Sequence, residues 1–215
     1  ASARLNSGTL LSTASTAAEF ANAPAVFDSQ VGYYESSLGS NYIGWLFKRA
    51  TGFMDVVAYT GTGSATSFNH NLGVIPLLQI IKRRDSTGSW YVNAYDLSPT
   101  SRGFLNLGNQ FATSGTEWSG SNATTFSVYS GGLANINISG ATYVNYLFAT
   151  VAGVSKVGSY TGTGSNVDVD CGFSAGARFI LIKRSDSTGD WYVWDSVRGI
   201  VAGNDPYLLL NSTAA

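Results

Sequence analysis

Apolar and polar residues follow one another in short runs along this chain, and the pattern predicts β-strands. The runs are rich in β-branched and aromatic residues and are bounded by Gly, Ser, Asn and Asp, which is the strand signature. They recur with turn residues between them, which is typical of an antiparallel sandwich. The predicted strands are residues 56–59, 77–81, 90–95, 125–129, 143–148, 178–183 and 191–194. The only helix we consider is residues 14–23, with Thr13 or Ser15 as its N-cap.

The strand pattern also repeats. Three stretches return with the same kinds of residues, and each second copy lies 101 positions after the first. A unit of this length is a small domain, whereas a solenoid repeat has roughly 20–50 residues. The repeated stretches are 42–47 with 143–148, 59–64 with 160–165, and 82–92 with 183–193.

The repeat predicts three regions. Residues 1–52 are interpreted as the C-terminal half of a unit, 53–152 as a complete unit, and 153–215 as the N-terminal portion of a further unit. The predicted fold is all-β: tandem antiparallel β-sandwich repeats of about 101 residues, with incomplete units at both ends. The absence of an initiator methionine favours a piece of a longer array. Completion of the two halves within or between chains is the alternative.

A turn is predicted between two strands in each copy, at Asp85-Ser-Thr-Gly88 and Asp186-Ser-Thr-Gly189. Asp accepts hydrogen bonds from the backbone ahead of it, and Gly supplies the positive φ that closes a short hairpin.

Composition excludes several classes of protein. The net charge is −1 and only 12% of residues are charged, so no basic surface is expected to bind nucleic acid. No segment approaches the ~20 apolar residues needed to cross a bilayer. A single cysteine excludes an intrachain disulfide framework. The bias toward Gly, Ser, Thr, Asn and Tyr is typical of a β-rich extracellular or virion protein.

The residues most suggestive of catalysis are His70 and Cys171, and they occupy the same position of the two copies. They therefore do not form a dyad within one unit, and no Gly-x-Ser-x-Gly motif accompanies them. Glycoside hydrolysis needs two placed carboxylates. Only Asp85 and Asp186 keep their identity between copies, and a turn explains them. We expect no enzyme and no catalytic residue, with a carboxylate pair drawn from different loops as the open alternative.

A metal site is weighed at Asp168 and Asp170, which a strand would place on one face. Ser67 and Asn69 supply oxygens at the same positions of the other copy. Calcium takes six or more oxygens, and these do not suffice. A solvated strand face is the preferred interpretation, and neither a metal nor a cofactor is predicted.

Aromatic residues are the remaining candidates for ligand binding. On a strand, neighbouring side chains point to opposite faces, so one residue of each Trp–Tyr pair is expected in the core and the other outside. Exposed rings flanked by polar residues stack on sugars. A Trp that caps one end of the sandwich is the structural alternative. The candidate ligand-binding residues are Trp90, Tyr91, Trp191, Tyr192 and Trp194.

Taken as a set, several motifs resemble a repeated domain of tailed bacteriophages. This domain occurs in large tail-fibre or minor tail proteins, often beside concanavalin A-like (laminin G-like) lectin modules. The motifs are Phe53-x-Asp-Val-Val-x-Tyr-Thr-Gly-Thr-Gly, His70-Asn-Leu-Gly-Val-x-Pro, Ile81-Lys-Arg-Arg, Tyr143-Val-x-Tyr-Leu-Phe, Gly158-Ser-Tyr-Thr-Gly and Ile182-Lys-Arg-x-Asp-Ser-Thr-Gly-Asp-Trp. The second copy departs from the pattern, with Cys171-Gly-Phe-Ser-Ala-Gly-Ala177 in place of the His70 motif.

The resemblance implies a structural or adhesive component of a phage tail fibre or tail tip that contacts host-surface glycan. A non-binding spacer or virion assembly module is the second expectation, and a polysaccharide depolymerase the third. The expected partners are other copies of the chain, with a trimer among the expected forms, and other tail proteins. Host glycan is a further expected partner, whereas nucleic acid and membrane insertion are not expected. The expected location is the virion tail, outside the cell.

Overall fold

The computed structural model describes residues 9–21, 42–113, 117–129, 135–200, 203 and 205–213, with the backbone of 25–26 and 34–35. Within these residues the protein is all-β, and every strand pair is antiparallel, as the sequence predicts. The strands are β1 (Thr9–Leu10), β2 (Phe20–Ala21), β3 (Ala25–Val26), β4 (Tyr34–Glu35), β5 (Met54–Thr60), β6 (Thr66–Asn69), β7 (Leu78–Arg83), β8 (Tyr91–Ala94), β9 (Ser101–Phe104), β10 (Ala112–Thr113), β11 (Trp118–Ser121), β12 (Thr125–Val128), β13 (Thr142–Phe148), β14 (Phe179–Lys183), β15 (Trp191–Asp195) and β16 (Leu208–Leu209).

The largest sheet has six strands in the order β10-β9-β8-β7-β13-β5. β13 lies inside this sheet, where Tyr143 is opposite Tyr59 on β5 and opposite Arg83 on β7. Its sequence is apolar at nearly every position, which is typical of a strand buried on both faces. Val144 and Leu147, which point to opposite faces, are both fully buried.

A three-stranded sheet, in the order β11-β12-β6, covers one face of the large sheet and makes a sandwich. Its apolar side chains share one core with those of the large sheet. From the small sheet come Trp118, Phe126, Val128 and the half-buried Phe68; from the large sheet come Tyr59, Ile81, Tyr91, Tyr143 and Leu147.

The opposite face of the large sheet is covered too. Trp90, Val92 and other residues of this face share a second core with Leu11 from the N-terminal segment and with Trp191 from β15. The sequence predicts one residue of the Trp90–Tyr91 pair outside the core. This prediction is wrong for the first copy: both rings are buried, because protein covers both faces of the sheet.

Three smaller sheets complete the described structure: β14-β15-β16, β1-β2 and β3-β4. The hairpin β14–β15 has the same strand register as β7–β8, with each residue 101 positions later in the sequence. Leu78 lies opposite Ala94 in the first hairpin, and Phe179 lies opposite Asp195 in the second.

The predicted helix at 14–23 is wrong for residues 14–21, which form irregular chain ending in β2; residues 22 and 23 lie outside the described residues. The backbone of this segment bonds to the first hairpin instead. Glu19 N–H donates to Arg84 O, and Thr16 O accepts from Gly88 N–H. These long-range bonds take the groups that an isolated helix would have paired internally.

The predicted hairpin turns lie between β7 and β8 and between β14 and β15, but their glycines act differently from the prediction. The connections are seven residues long, 84–90 and 184–190. Neither Gly88 nor Gly189 has a positive φ. Each donates its N–H to a segment packed against the hairpin instead.

The strand face predicted at Asp168 and Asp170 is also wrong. Residues 156–177 form no strand, and both aspartates are exposed. In the first copy the corresponding strands, β5 and β6, pair with β13 and β12. Among the described residues no strand lies beside residues 156–177 in the way that β13 and β12 lie beside β5 and β6, and an unpaired segment does not form a strand.

Candidate functional site

The candidate site is the contact between a hairpin and the chain segment docked against it, and it occurs twice. The first hairpin is β7–β8, and its docked segment is residues 12–19. The second hairpin is β14–β15, and its docked segment is residues 104–111. The Trp Nε1 bond, two backbone bonds and one lysine bond of the first contact each have a counterpart in the second.

A tryptophan just before β8, and its counterpart at the first position of β15, fix the two docked segments. Trp90 Nε1 donates to Ser12 O at 2.8 Å. Trp191 Nε1 donates to Phe104 O at 2.9 Å. The two side chains are only 1% and 3% exposed, so each ring is buried while its one polar group is paired.

An asparagine side chain holds the backbone of each tryptophan. Asn106 Oδ1 accepts the Trp90 N–H at 2.8 Å, and Asn211 Oδ1 accepts the Trp191 N–H at 2.9 Å. The turn that follows the next strand, β9 or β16, thus also fixes the Trp position.

Backbone hydrogen bonds join each hairpin connection to its docked segment. They give the segment defined partners without making it a strand of the sheet. They are Glu19 N–H to Arg84 O at 2.8 Å and Phe111 N–H to Ser185 O at 2.9 Å, then Gly88 N–H to Thr16 O and Gly189 N–H to Gly108 O, both at 2.8 Å.

A lysine in each hairpin donates to a backbone carbonyl at the corresponding position of its docked segment. Lys82 is fully buried, and its Nζ donates to Thr16 O at 3.2 Å and to Gly88 O at 3.0 Å. Burial, with the nearby charge of Arg83, lowers the pKa of Lys82 to about 8. Lys183 Nζ lies 3.4 Å from Gly108 O, and burial likewise lowers its pKa. Lys183 Nζ also donates to Arg184 O at 2.6 Å. A buried amine is costly unless it is hydrogen-bonded, and each lysine has one carbonyl partner in the docked segment and one in its own hairpin connection.

The correspondence between the contacts follows two fixed offsets. Corresponding hairpin residues are 101 positions apart in the sequence, as Trp90 and Trp191 are. Corresponding docked residues are 92 positions apart, as Ser12 and Phe104 are. The strand pair next to the docked segment follows the second offset. Leu10 lies opposite Phe20 in β1–β2, and Arg102 lies opposite Ala112 in β9–β10.

The side chains at one position of the contact differ between copies. In the first copy Glu19 forms an ion pair with Arg84 and accepts a hydrogen bond from Thr9 Oγ1. Burial opposes ionisation of Glu19, but these hydrogen bonds and the Arg84 charge lower its pKa overall. In the second copy the position of Glu19 is taken by Phe111, whose ring centroid lies 5.9 Å from that of Trp191. The contact is therefore kept with either polar or apolar side chains.

A second candidate is an exposed aromatic cluster, which we define as Tyr192, Trp194 and Tyr207. The Tyr192 and Trp194 rings are stacked with centroids 5.7 Å apart, and Tyr207 lies 5.1 Å from Tyr192. Tyr207 is 51% exposed, and the two β15 residues are half-buried. Flat rings open to solvent are suited to stacking.

The structure separates the five predicted ligand-binding residues into two groups. Trp90, Tyr91 and Trp191 are buried and present no ring face to solvent. Tyr192 and Trp194 lie in the exposed aromatic cluster. Tyr91, the counterpart of Tyr192, is covered by the three-stranded sheet of the sandwich. Among the described residues no such sheet covers β15, which is why Tyr192 is accessible.

His70 is buried at the end of β6 and uses both ring nitrogens for structure. Nδ1 accepts the Leu72 N–H at 3.1 Å, so Nε2 carries the proton and donates to Asn122 O at 3.2 Å. Burial lowers the pKa of His70, opposed by the bond to Asn122 and by the charge of Asp55. Cys171, its counterpart, is a half-buried free thiol.

Within the described ranges, no group of three or more His, Cys, Asp or Glu residues is placed to hold a metal ion. The two turn aspartates pair with arginines of their own hairpins, Asp85 with Arg83 and Asp186 with Arg184. No helix among the residues described here is long and apolar enough to cross a membrane.

Sequence reasoning missed Lys82, Asn106 and the docked segments. One signal was available, since Lys82 and Lys183 interrupt apolar strands at the same position of both copies. The docked segments carry no comparable signal, because they contribute mainly backbone carbonyl and N–H groups.

The fold and the repeated contact define an all-β protein in which chain segments dock in series on antiparallel hairpins. Residues 48–215 match the model of a family described as a domain of unknown function, DUF7483, and the chain belongs to this family. Searches of curated proteins and of solved structures found no match.

Proposed function

We propose that this chain is a structural module of an extended array, in which each unit of about 101 residues docks on the hairpin of the next. The repeated docking contact carries the proposal. The same Trp, Lys and Gly positions bind a preceding segment in both copies, with offsets that are constant within each side of the contact.

The proposed units are those that the sequence repeat defines. Residues 53–152 are a complete unit, 1–52 a C-terminal half and 153–215 an N-terminal portion. The position of the docked segments supports this division. Residues 12–19 come from the leading half and dock on the complete unit, whereas residues 104–111 come from the complete unit and dock on the trailing portion. In such an array each interface depends only on its neighbours.

The proposed setting is a tail fibre or minor tail protein of a tailed bacteriophage, outside the cell. The motif set around Phe53, His70 and Tyr143 supports this setting through its resemblance to the phage tail domain. A spacer built from docked units, with buried tryptophans and a weakly charged surface, suits a fibre. We propose no enzymatic activity.

The array predicts that a further unit can be inserted. A second copy of residues 53–153, placed after Gly153, would give each hairpin a docked segment from the unit before it. We expect the lengthened protein to fold with unchanged circular dichroism per residue. We also expect the maximum dimension, measured by small-angle X-ray scattering, to grow by the same increment for one and for two inserted units.

A matched control inserts residues 100–200, another 101 residues, at the same place. This insertion has the same length but breaks the order of hairpin and docked segment, so it is expected to aggregate or remain unfolded. If the in-phase insertion behaves like the control, the protein is not an array of docked units.

The exposed aromatic cluster favours a second function, contact with host-surface glycan. Stacking of a sugar on Tyr192, Trp194 or Tyr207 would be weak at one site, and many copies along a fibre would strengthen it. Tyr192 occupies the position at which the complete unit has Tyr91, a residue of the core between its two sheets. The cluster is therefore exposed only as long as no second sheet covers β15.

Binding of the labelled chain to candidate host bacteria tests the glycan contact. We expect saturable binding that periodate oxidation of the bacteria abolishes and that Trp194→Ala weakens at least about tenfold, equivalent to ~1.4 kcal/mol. Val197→Ala, at an exposed position outside the cluster, is the control. Binding that Trp194→Ala leaves unchanged would remove the cluster from the proposal and leave the structural role in place.

A further inference from the structure

One edge of β14 is unused in the described structure. β14 pairs with β15 along one edge only. Its counterpart β7 pairs with β8 along one edge and with β13 along the other. A free strand edge with unpaired N–H and C=O groups is a ready template for another strand.

A strand-like segment is also unused. Residues 42–47 correspond to 143–148 of β13, yet they form no strand and pair with no strand among the described residues. Tyr42 is 68% exposed and Leu46 65% exposed, which is high for large apolar side chains. The same residues at the β13 positions, Tyr143 and Leu147, are fully buried.

The two unused elements already touch at one end. The Phe47 ring centroid lies 5.4 Å from that of Phe179, and Trp45 lies 5.6 Å from it. Phe47 and Phe179 are the counterparts of Phe148 and Leu78, which lie opposite each other in the β13–β7 pair. The contact therefore joins two residues that the full strand pair would place opposite each other.

We propose that residues 42–47 of one copy of the chain add to the free edge of β14 in a second copy. The register follows that of β13 on β7, so Tyr42 lies opposite Arg184, Leu46 opposite Ile180, and Phe47 opposite Phe179. This inference rests on the structural role proposed above, and it names the partner as another copy of the same chain.

The chemistry of the segment suits strand addition. Residues 42–47 carry no charge and no proline, so each residue has a backbone donor and acceptor for a ladder. Arg184 is held by Asp186 of its own turn, just as Arg83 is held by Asp85 beside β13. Since Arg83 lies beside a paired strand in the complete unit, Arg184 at the same place on β14 is compatible with a paired strand too.

A second copy is the partner because each chain retains both a donor and an acceptor. In the described structure the Trp45 and Phe47 rings contact Phe179, but the chain's own residues 42–47 form no strand pair with β14. A chain with an unpaired donor segment at residues 42–47 and an unpaired acceptor edge on β14 satisfies both by head-to-tail contact with other copies. Such a heterologous contact closes into a ring or extends into a filament.

Cysteine cross-linking between two differently tagged full-length chains tests the proposal. Both carry Cys171→Ser; one carries Leu46→Cys and the other Ile180→Cys. Residues opposite each other in an antiparallel pair are about 4.5–5.5 Å apart at Cα, within the range of a disulfide. We expect the mixture to form a disulfide-linked heterodimer as its main oxidised product. In the control mixture Leu181→Cys replaces Ile180→Cys, and its side chain points to the opposite face.

A chain carrying both Leu46→Cys and Ile180→Cys distinguishes pairing between two chains from pairing within one chain. Interchain products from this chain, together with the heterodimer, support the proposal. A bond formed only within one chain, or no bond in register, overturns it. Either negative result leaves the array tested by unit insertion unaffected, because that test does not depend on residues 42–47 pairing with β14.

Discussion

Replacing Trp90 with alanine is expected to cost about 3–5 kcal/mol of stability, since deletion of a buried Trp side chain leaves a large cavity. The ring is 1% exposed, and its Nε1 holds Ser12 O. A domain of this kind has only ~5–15 kcal/mol in total. We therefore expect the urea midpoint, followed by circular dichroism, to fall sharply, and residues 9–21 to lose protection from hydrogen exchange.

Trp191→Ala is the matched variant, with a ring 3% exposed and Nε1 bonded to Phe104 O. Here we expect hydrogen exchange to rise in β14–β15 while β5, β7 and β13 stay protected, because the first core of the six-stranded sheet does not include Trp191 and the second core keeps its other members. A loss below ~1 kcal/mol in Trp90→Ala would show that the docked segment does not depend on the tryptophan.

Much of the sheet structure could be predicted from the sequence, because strand formation there follows local pattern. β7, β8, β13, β14 and β15 lie where runs of β-branched and aromatic residues predict them. Their turn residues also mark the connections correctly. Strand content is read well where a strand is apolar on both faces.

The errors come from contacts between residues far apart in the chain. Residues 14–21 have good helix formers such as Ala14 and Ala17, but the partners of this segment lie at Arg84 and Gly88. No local pattern encodes a carbonyl that docks on a hairpin some 70 residues away. The helix prediction is wrong for the same reason that the glycine φ prediction is wrong.

The candidate ligand-binding residues show that a strand pattern does not reveal how many layers of protein cover a sheet. Alternation along a strand shows that Trp90 and Tyr91 point to opposite faces, and this is correct. It does not show whether a face meets solvent or a further layer. In the first copy both faces are covered, whereas Tyr192 and Trp194 in the second copy remain accessible.

Gly61→Ala is expected to destabilise the protein by about 2–3 kcal/mol, at the upper end of the usual cost of overpacking. A Cβ at this position would lie 2.2 Å from Ile138 O, a backbone atom. The neighbouring backbone is fixed on both sides, since Gly61 N–H donates to Ala141 O and Gly61 O accepts from Gly140 N–H. Neither side can move without breaking these bonds, and urea denaturation measures the loss.

Gly162→Ala is the internal control, because Gly162 occupies the same place in the second copy of the motif. A Cβ there would meet nothing within 4 Å, so we expect a change within about 0.5 kcal/mol. The difference between two identical motifs arises only from what packs on them. In the protein lengthened by residues 53–153, the glycine copied from Gly61 lies inside a complete unit, and its replacement should again be costly. Equal costs at Gly61 and Gly162 in the unmodified chain would contradict this packing argument.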